Sequence, residues 1–153
     1  MSGRNRETDC DVQVKLAIYR HFAETGVRPT SEMIAQKIGS NVQSVLHAYR
    51  RLAADRLLVL ESDGLSIRMA SPFSGVPTQH VVISDEKQYF ANCAWDSLGI
   101  IAALGRAGRV YSRCEQSGEP LRLDVSTNGP ERSDWLFHCL VPAAQWWDDI
   151  IFT

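Results

Sequence analysis

The sequence predicts an α+β protein, with an N-terminal winged helix-turn-helix-like module followed by a small mixed α/β domain. Three observations carry this. Apolar residues recur at helical spacing between helix-breaking and capping residues, then give way to two alternating β runs around a Ser-Asp-Gly turn. A Pro-, Gly- and Ser-rich stretch, SPFSGVPTQ, then separates a second region in which β-type segments flank one long apolar run. Charge divides the same way: residues 1–60 carry nine Lys/Arg against six Asp/Glu, and residues 61–153 carry seven against twelve. That is the pattern of two modules with different tasks.

In chain order, residues 1–10 read as a loose polar tail and 11–70 as the winged-helix-like module. A first helix runs from Asp11 with Val12, Leu16, Ile18, Tyr19 and Phe22 as its stripe, and GVRP breaks it. Thr30 or Ser31 caps a second helix that Gly39 stops, and Ser40 opens a third with Val42, Val45, Leu46, Tyr49 and Leu52 facing inward. LLVLESDGLSIRM makes a β-hairpin. Residues 71–79 read as a linker and 80–153 as the second domain. There, His80–Ser84 is a short strand and Asp85 caps a long helix reaching Leu104, buried almost all round. GRVYSRC and LRLDVS form a hairpin, WLFHCLV a strand, and PAAQWWDDIIFT a helix with Pro142 in its first turn. Trp135, Trp146 and Trp147 are expected to pack that domain's core.

The chain of 153 residues, 44% hydrophobic and 22% charged, has the composition of a soluble globular protein. No uninterrupted apolar stretch reaches the ~18 residues that span a bilayer. The polar start lacks a signal-peptide core, so a cytoplasmic location without membrane association is expected. The four cysteines (Cys10, Cys93, Cys114, Cys139) show neither metal-site nor disulfide-framework spacing and are expected to be free thiols. The N-terminal fold allows DNA binding, with Ser40–Arg51 in a major groove and Arg68 near phosphate. Its basic residues come late in the third helix, however, and a net charge of +3 is a weak electrostatic footprint.

The long run QYFANCAWDSLGIIAALG raises the chemical question. Between Lys87 and Arg106 its single charged side chain is Asp96, with Cys93 three residues earlier, one helical turn away. Desolvation would favour the protonated acid. A proton donor beside a soft sulfur nucleophile suits cleavage of a bond between carbon and a thiophilic metal: sulfur takes the metal and the acid protonates carbon. The bland alternative, an inert buried thiol and a structural carboxylate, is more common on spacing alone.

At these residues the sequence resembles the organomercurial (alkylmercury) lyases. The likeness takes in the N-terminal winged-helix-like module and runs through SIRMASPFSGVPTQHVV, YFANCAWDSLGIIAALGRAGRVYSRCEQSGEPLRLDVS and VPAAQWWDDIIFT. It implies a lyase-type second domain in which Cys93 binds mercury and Asp96 helps protonolyse the carbon–mercury bond, with Cys114 structural. It also implies an organometallic substrate, no cofactor beyond the mercury the substrate carries, release of Hg(II) by cellular thiols, and a mercuric-ion acceptor protein as a candidate partner.

The family's second catalytic cysteine has no counterpart at the aligned position, near Asp134–Trp135. Cys139 is a candidate second thiolate, with His138 beside it as a proton acceptor. A further expectation is that the chain is cut after Thr153 and that the second nucleophile lies beyond it. Asp148 and Asp149 read as a solvated face before a cation site, and nothing supports a role for Cys10, His21 or His47. Besides a lyase, two readings stand: a non-catalytic thiophilic-metal binder using Cys93 with Cys114 or Cys139, and a winged-helix, metal-responsive transcriptional regulator.

Overall fold

Helix α1 (Gly3–Thr25) starts at Gly3 rather than Asp11 in the computed structural model, which describes residues 3–151, so the segment expected to be a loose tail is largely helix. Its buried stripe is Val14, Ala17, Ile18 and Phe22, while Val12 and Leu16 are about half exposed. Two residues turn a helix through about 200°, so 12/16 and 14/18 lie on opposite sides, and the 14-17-18-22 set wins the core. Helix α2 (Ser31–Ile38) is capped by Thr30, whose hydroxyl accepts the Met33 N–H, and it ends at Gly39 in the left-handed conformation. Helix α3 (Val42–Ala54) is capped by Asn41 rather than Ser40, with the Asn41 side chain 2.8 Å from the Ser44 N–H. It buries Val45, Leu46, Ala48, Tyr49 and Leu52.

Strands β1 (Val59–Leu60) and β2 (Ile67–Ala70) pair antiparallel as expected, and the Asp63 carboxylate accepts the N–H groups of Leu65 and Ser66 in the turn. A third strand, β3 (Phe73–Ser74), joins β2 from inside the stretch expected to be a linker. Phe73 is 2% exposed, stacks on Phe22 at 5.3 Å, and meets the rings of Tyr19 and Tyr89. Residues 71–79 therefore carry core rather than spacing the modules apart, and buried residues from Val14 to Val125 form one cluster.

The second sheet has the order β5-β4-β6-β7-β8, all antiparallel: β4 (Val81–Ser84), β5 (Lys87–Phe90), β6 (Gly108–Arg113), β7 (Pro120–Ser126) and β8 (Gly129–Pro130). Asp85 does not cap a helix. With Glu86 it makes the turn between β4 and β5, both at positive φ, the handedness that matches strand twist in a tight hairpin. Helix α4 is consequently shorter than expected, Ala94–Leu104, and Gly105 ends it. It is not buried all round: Ser97, Ile100 and Ile101 face the core, while Trp95 is 54% exposed.

Residues 131–140 are exposed and form no strand. Pro142 leads into a 3-10 helix over Ala143–Asp148 rather than an α-helix. Trp135 is exposed and Trp146 and Trp147 are half-buried, so the tryptophans do not build a core. Thr153, where the second nucleophile was expected to be cut away, lies outside the described residues. None of the described helices is long and apolar enough to cross a membrane.

Candidate functional site

Strand β5 delivers the chain to residues 91–93, immediately before α4. Ala91 is fixed on both sides: its N–H donates to the His80 carbonyl at 2.9 Å, and its carbonyl accepts the Thr78 hydroxyl at 2.7 Å. It also bridges to Phe73. Cys93 then caps α4, with extended backbone and its Sγ 3.5 Å from the Asp96 N–H. Cys93 and Asp96 are thus N-cap and third residue of a helix, not two positions within one longer helix. The cap arrangement points the sulfur at the positive end of the helix and puts the carboxyl in its first turn.

Both groups are half-buried. Burial pushes the Asp96 carboxyl above the usual carboxylate range, and a hydrogen bond from Asn92 opposes this. Burial likewise pushes the Cys93 thiol up; the amide of Asp96 pulls it down, and the Asp96 carboxylate pushes it up again. Both shifts run toward the protonated form, the direction a proton donor needs.

Three neighbours of this pair were not singled out from the sequence. Asn92 donates from Nδ2 to Asp96 Oδ2 at 2.8 Å and also reaches the carbonyls of Pro72 at 3.3 Å and Phe73 at 3.4 Å. The signal was present as a third polar side chain interrupting the run YFANCAWD. Tyr19, from α1, donates to the Ser71 carbonyl, and its phenol is raised by burial and by the Asp96 charge, which brings the N-terminal helices to the edge of the site. Trp95 meets Phe137 at 5.6 Å between ring centroids. That contact brings Phe137 to the start of α4.

Two residues beyond Phe137, Cys139 is exposed and within electrostatic range of Cys93. His138 is also exposed. Cys114 sits in the β6–β7 turn, where the Ser117 hydroxyl and the amides of Ser117 and Gln116 hold its thiol below the usual range; those are its partners, not Cys93. Cys10 packs against the core from α1. His21 is buried on α1, and His47, Asp148 and Asp149 are exposed. Among the described residues no three His, Cys, Asp or Glu side chains gather closely enough to hold a metal ion by themselves. Of the basic residues considered for DNA, Arg51 forks onto Asp11 at 2.6 Å and Arg68 pairs with Glu61 at 3.3 Å, while Arg50 is exposed.

A family model described as MerB, alkylmercury lyase, matches residues 73–153, more than half of the chain, including Asn92, Cys93 and Asp96. The chain belongs to the alkylmercury lyase family. Alkylmercury lyases of Bacillus cereus and of Clostridium butyricum are each 44% identical to it over 50 residues, a stretch that covers 33% of this chain and 23% of either relative. The match thus spans less than a quarter of those relatives' length. Among solved structures, the mercury-bound form of MerB2 superposes with a TM-score of 0.61 at 24% identity, covering 83% of this chain and 68% of that one. At that identity the likeness concerns the fold, and its 83% coverage reaches beyond residues 73–153.

Proposed function

We propose that this protein cleaves the carbon–mercury bond of organomercurials by protonolysis, with Cys93 binding the metal and Asp96 supplying the proton. The observation that carries the reading is the Cys93–Asp96 cap: a sulfur and a weakly acidic carboxyl in one helix turn, both partly withdrawn from water. Family membership supports the same reaction class. The proton balance closes with solvent, which takes the Cys93 thiol proton and reprotonates Asp96 after turnover. Cys93 loses its thiol proton as sulfur bonds to R–Hg⁺; the C–Hg bond then breaks, its electron pair takes the proton of the Asp96 carboxyl, and R–H departs. Asp96 is left as carboxylate and Hg(II) on sulfur. A second thiolate must complete the mercury's preferred soft coordination. Cys139 is the candidate in this chain because the Trp95–Phe137 contact holds its segment beside Cys93. A cellular thiol then releases Hg(II), to a mercuric-ion acceptor or to the thiol pool. The mercury is substrate, and the scheme uses no other cofactor.

The N-terminal module, winged-helix-like in its three helices and hairpin, serves in this reading as a wall of the site through Tyr19 rather than as a DNA reader. The internal pairing of Arg51 and Arg68 supports that assignment.

The test is a thiol-buffered incubation with phenylmercury, following benzene, with Cys93→Ser and Asp96→Asn in parallel. Catalytic benzene from the wild type, lost in both variants, is expected. Mercury retained on Cys93 without benzene would overturn the lyase in favour of a binder.

A further inference from the structure

Asn92 makes more contacts than a loop residue of its size needs. Its Nδ2 carries two hydrogens and faces three acceptors: Asp96 Oδ2 at 2.8 Å and the carbonyls of Pro72 and Phe73 at 3.3 and 3.4 Å. The near acceptor takes one hydrogen and the two carbonyls share the other. Flipping the amide would turn its oxygen onto two carbonyls and a carboxylate, so the orientation is determined. Its cost is visible, since Asn92 Oδ1 is buried with no hydrogen-bond partner. A buried amide oxygen left unsatisfied is unfavourable and marks a side chain held by its other end.

We propose that Asn92 is the positioning residue of Asp96: anchored on the Pro72 and Phe73 carbonyls, it grips Oδ2 and leaves Oδ1 as the oxygen that carries the transferable proton. This inference rests on the protonolysis reading of the site for its catalytic consequence, but not for the contact itself. Because Oδ2 already accepts an N–H, the acidic hydrogen resides on Oδ1. As that proton moves to carbon with the C–Hg electron pair, Asp96 becomes a carboxylate, and the Nδ2–H···Oδ2 bond becomes charge-assisted and stronger. Asn92 therefore acts in the proton-transfer step and not in metal capture. It also ties the acid to β3, so the register of the Phe73 core contact sets where the carboxyl lies.

Three variants and three readouts test this. In the ¹⁵N-labelled wild type, the Asn92 side-chain amide should show a downfield, slowly exchanging proton that is lost in Asp96→Ala. A spectrum indifferent to Asp96→Ala would overturn the contact whether or not the protein cleaves anything. In single-turnover assays with phenylmercury, Asn92→Ala should slow benzene release about 10- to 100-fold while capture by Cys93, read as the protein adduct by mass spectrometry, changes by less than about threefold. Thr78→Val loosens the same loop from its other side, at Ala91, without touching Asp96, and should leave both steps within about threefold. Equal losses in Asn92→Ala and Thr78→Val, or capture falling as far as release, would make Asn92 an ordinary loop anchor and refute the positioning role. If the wild type releases no benzene, the lyase reading fails while the amide spectrum still decides the contact.

Discussion

Replacing Phe73 by alanine tests the most consequential departure from the modular reading of the chain. Phe73 lies in a stretch that resembles a linker, yet it is 2% exposed and touches rings from α1 (Tyr19, Phe22) and β5 (Tyr89). Truncating a buried phenylalanine costs about 3–5 kcal/mol. The upper half of that range is expected here, because aromatic pairs add about 0.5–1.5 kcal/mol beyond area burial and neighbours on both sides belong to different elements that cannot collapse together. Against a total stability of about 5–15 kcal/mol, this brings the chain close to unfolding. The assay is urea unfolding followed by circular dichroism. The midpoint should fall with little change in slope, in one transition. A loss below about 1 kcal/mol, or a transition that splits so that α1–α3 melt apart from the second sheet, would refute the single-core account.

Other outcomes follow from the same geometry. Burial makes folded Asp96 a weaker acid than it is in the unfolded chain, so its contribution is fully present below the unfolded pKa and is lost as pH rises through the folded one. Asp96→Asn should therefore be neutral near pH 4 but more stable than wild type near pH 8, by about 1.4 kcal/mol for each tenfold difference in acidity; unfolding curves at the two pH values check the sign. A Cβ on Gly26 would stand 2.1 Å from the Gln88 carbonyl oxygen, and the backbone there has φ +76, so Gly26→Ala should cost well over 1 kcal/mol, whereas Gly118→Ala, with open space around it, should cost about 1 kcal/mol in a thermal melt. The Cys114 thiol is held low and Cys93 high, so iodoacetamide near pH 7 should modify Cys114 well before Cys93, as peptide mapping would show.

Local signals in the sequence carried much of the fold. Thr30, Gly39 and Gly105 mark helix ends through side-chain and φ requirements that need no tertiary context, and the β6–β7 hairpin follows from alternation alone. The misreadings occur where two local patterns compete. Asp85 can cap a helix or turn a hairpin, and pairing of β5 with β4 decides for the hairpin. Phe73 sits among Pro, Gly and Ser, so its composition says linker while its ring says core. WLFHCLV has strand composition, yet it stays largely exposed and forms no strand. At the site, Cys93 and Asp96 were legible because a thiol and a carboxyl stand out in an apolar run. The donor that orients the carboxyl was not, because the acceptors that fix Asn92 come from residues twenty positions away.

The capping geometry bears on whether Cys93 is there for the fold or for chemistry. Serine, threonine, aspartate and asparagine cap helices well because a short oxygen reaches the orphan N–H groups. The Cys93 sulfur accepts the Asp96 N–H at 3.5 Å, a weak version of the same contact. If the position served only to start α4, Cys93→Ser would improve it; by the usual worth of a cap, the variant should be as stable as wild type or up to about 1 kcal/mol more. The same variant should lose the phenylmercury adduct, because an alcohol oxygen is too hard a ligand for mercury. Gain in one measurement and loss in the other would mean that the thiol costs the fold a good cap and is retained for soft-metal chemistry. A Cys93→Ser chain destabilised by more than about 1 kcal/mol would instead make the sulfur a packing group, and the assignment of Cys93 as the mercury ligand would lose its structural support.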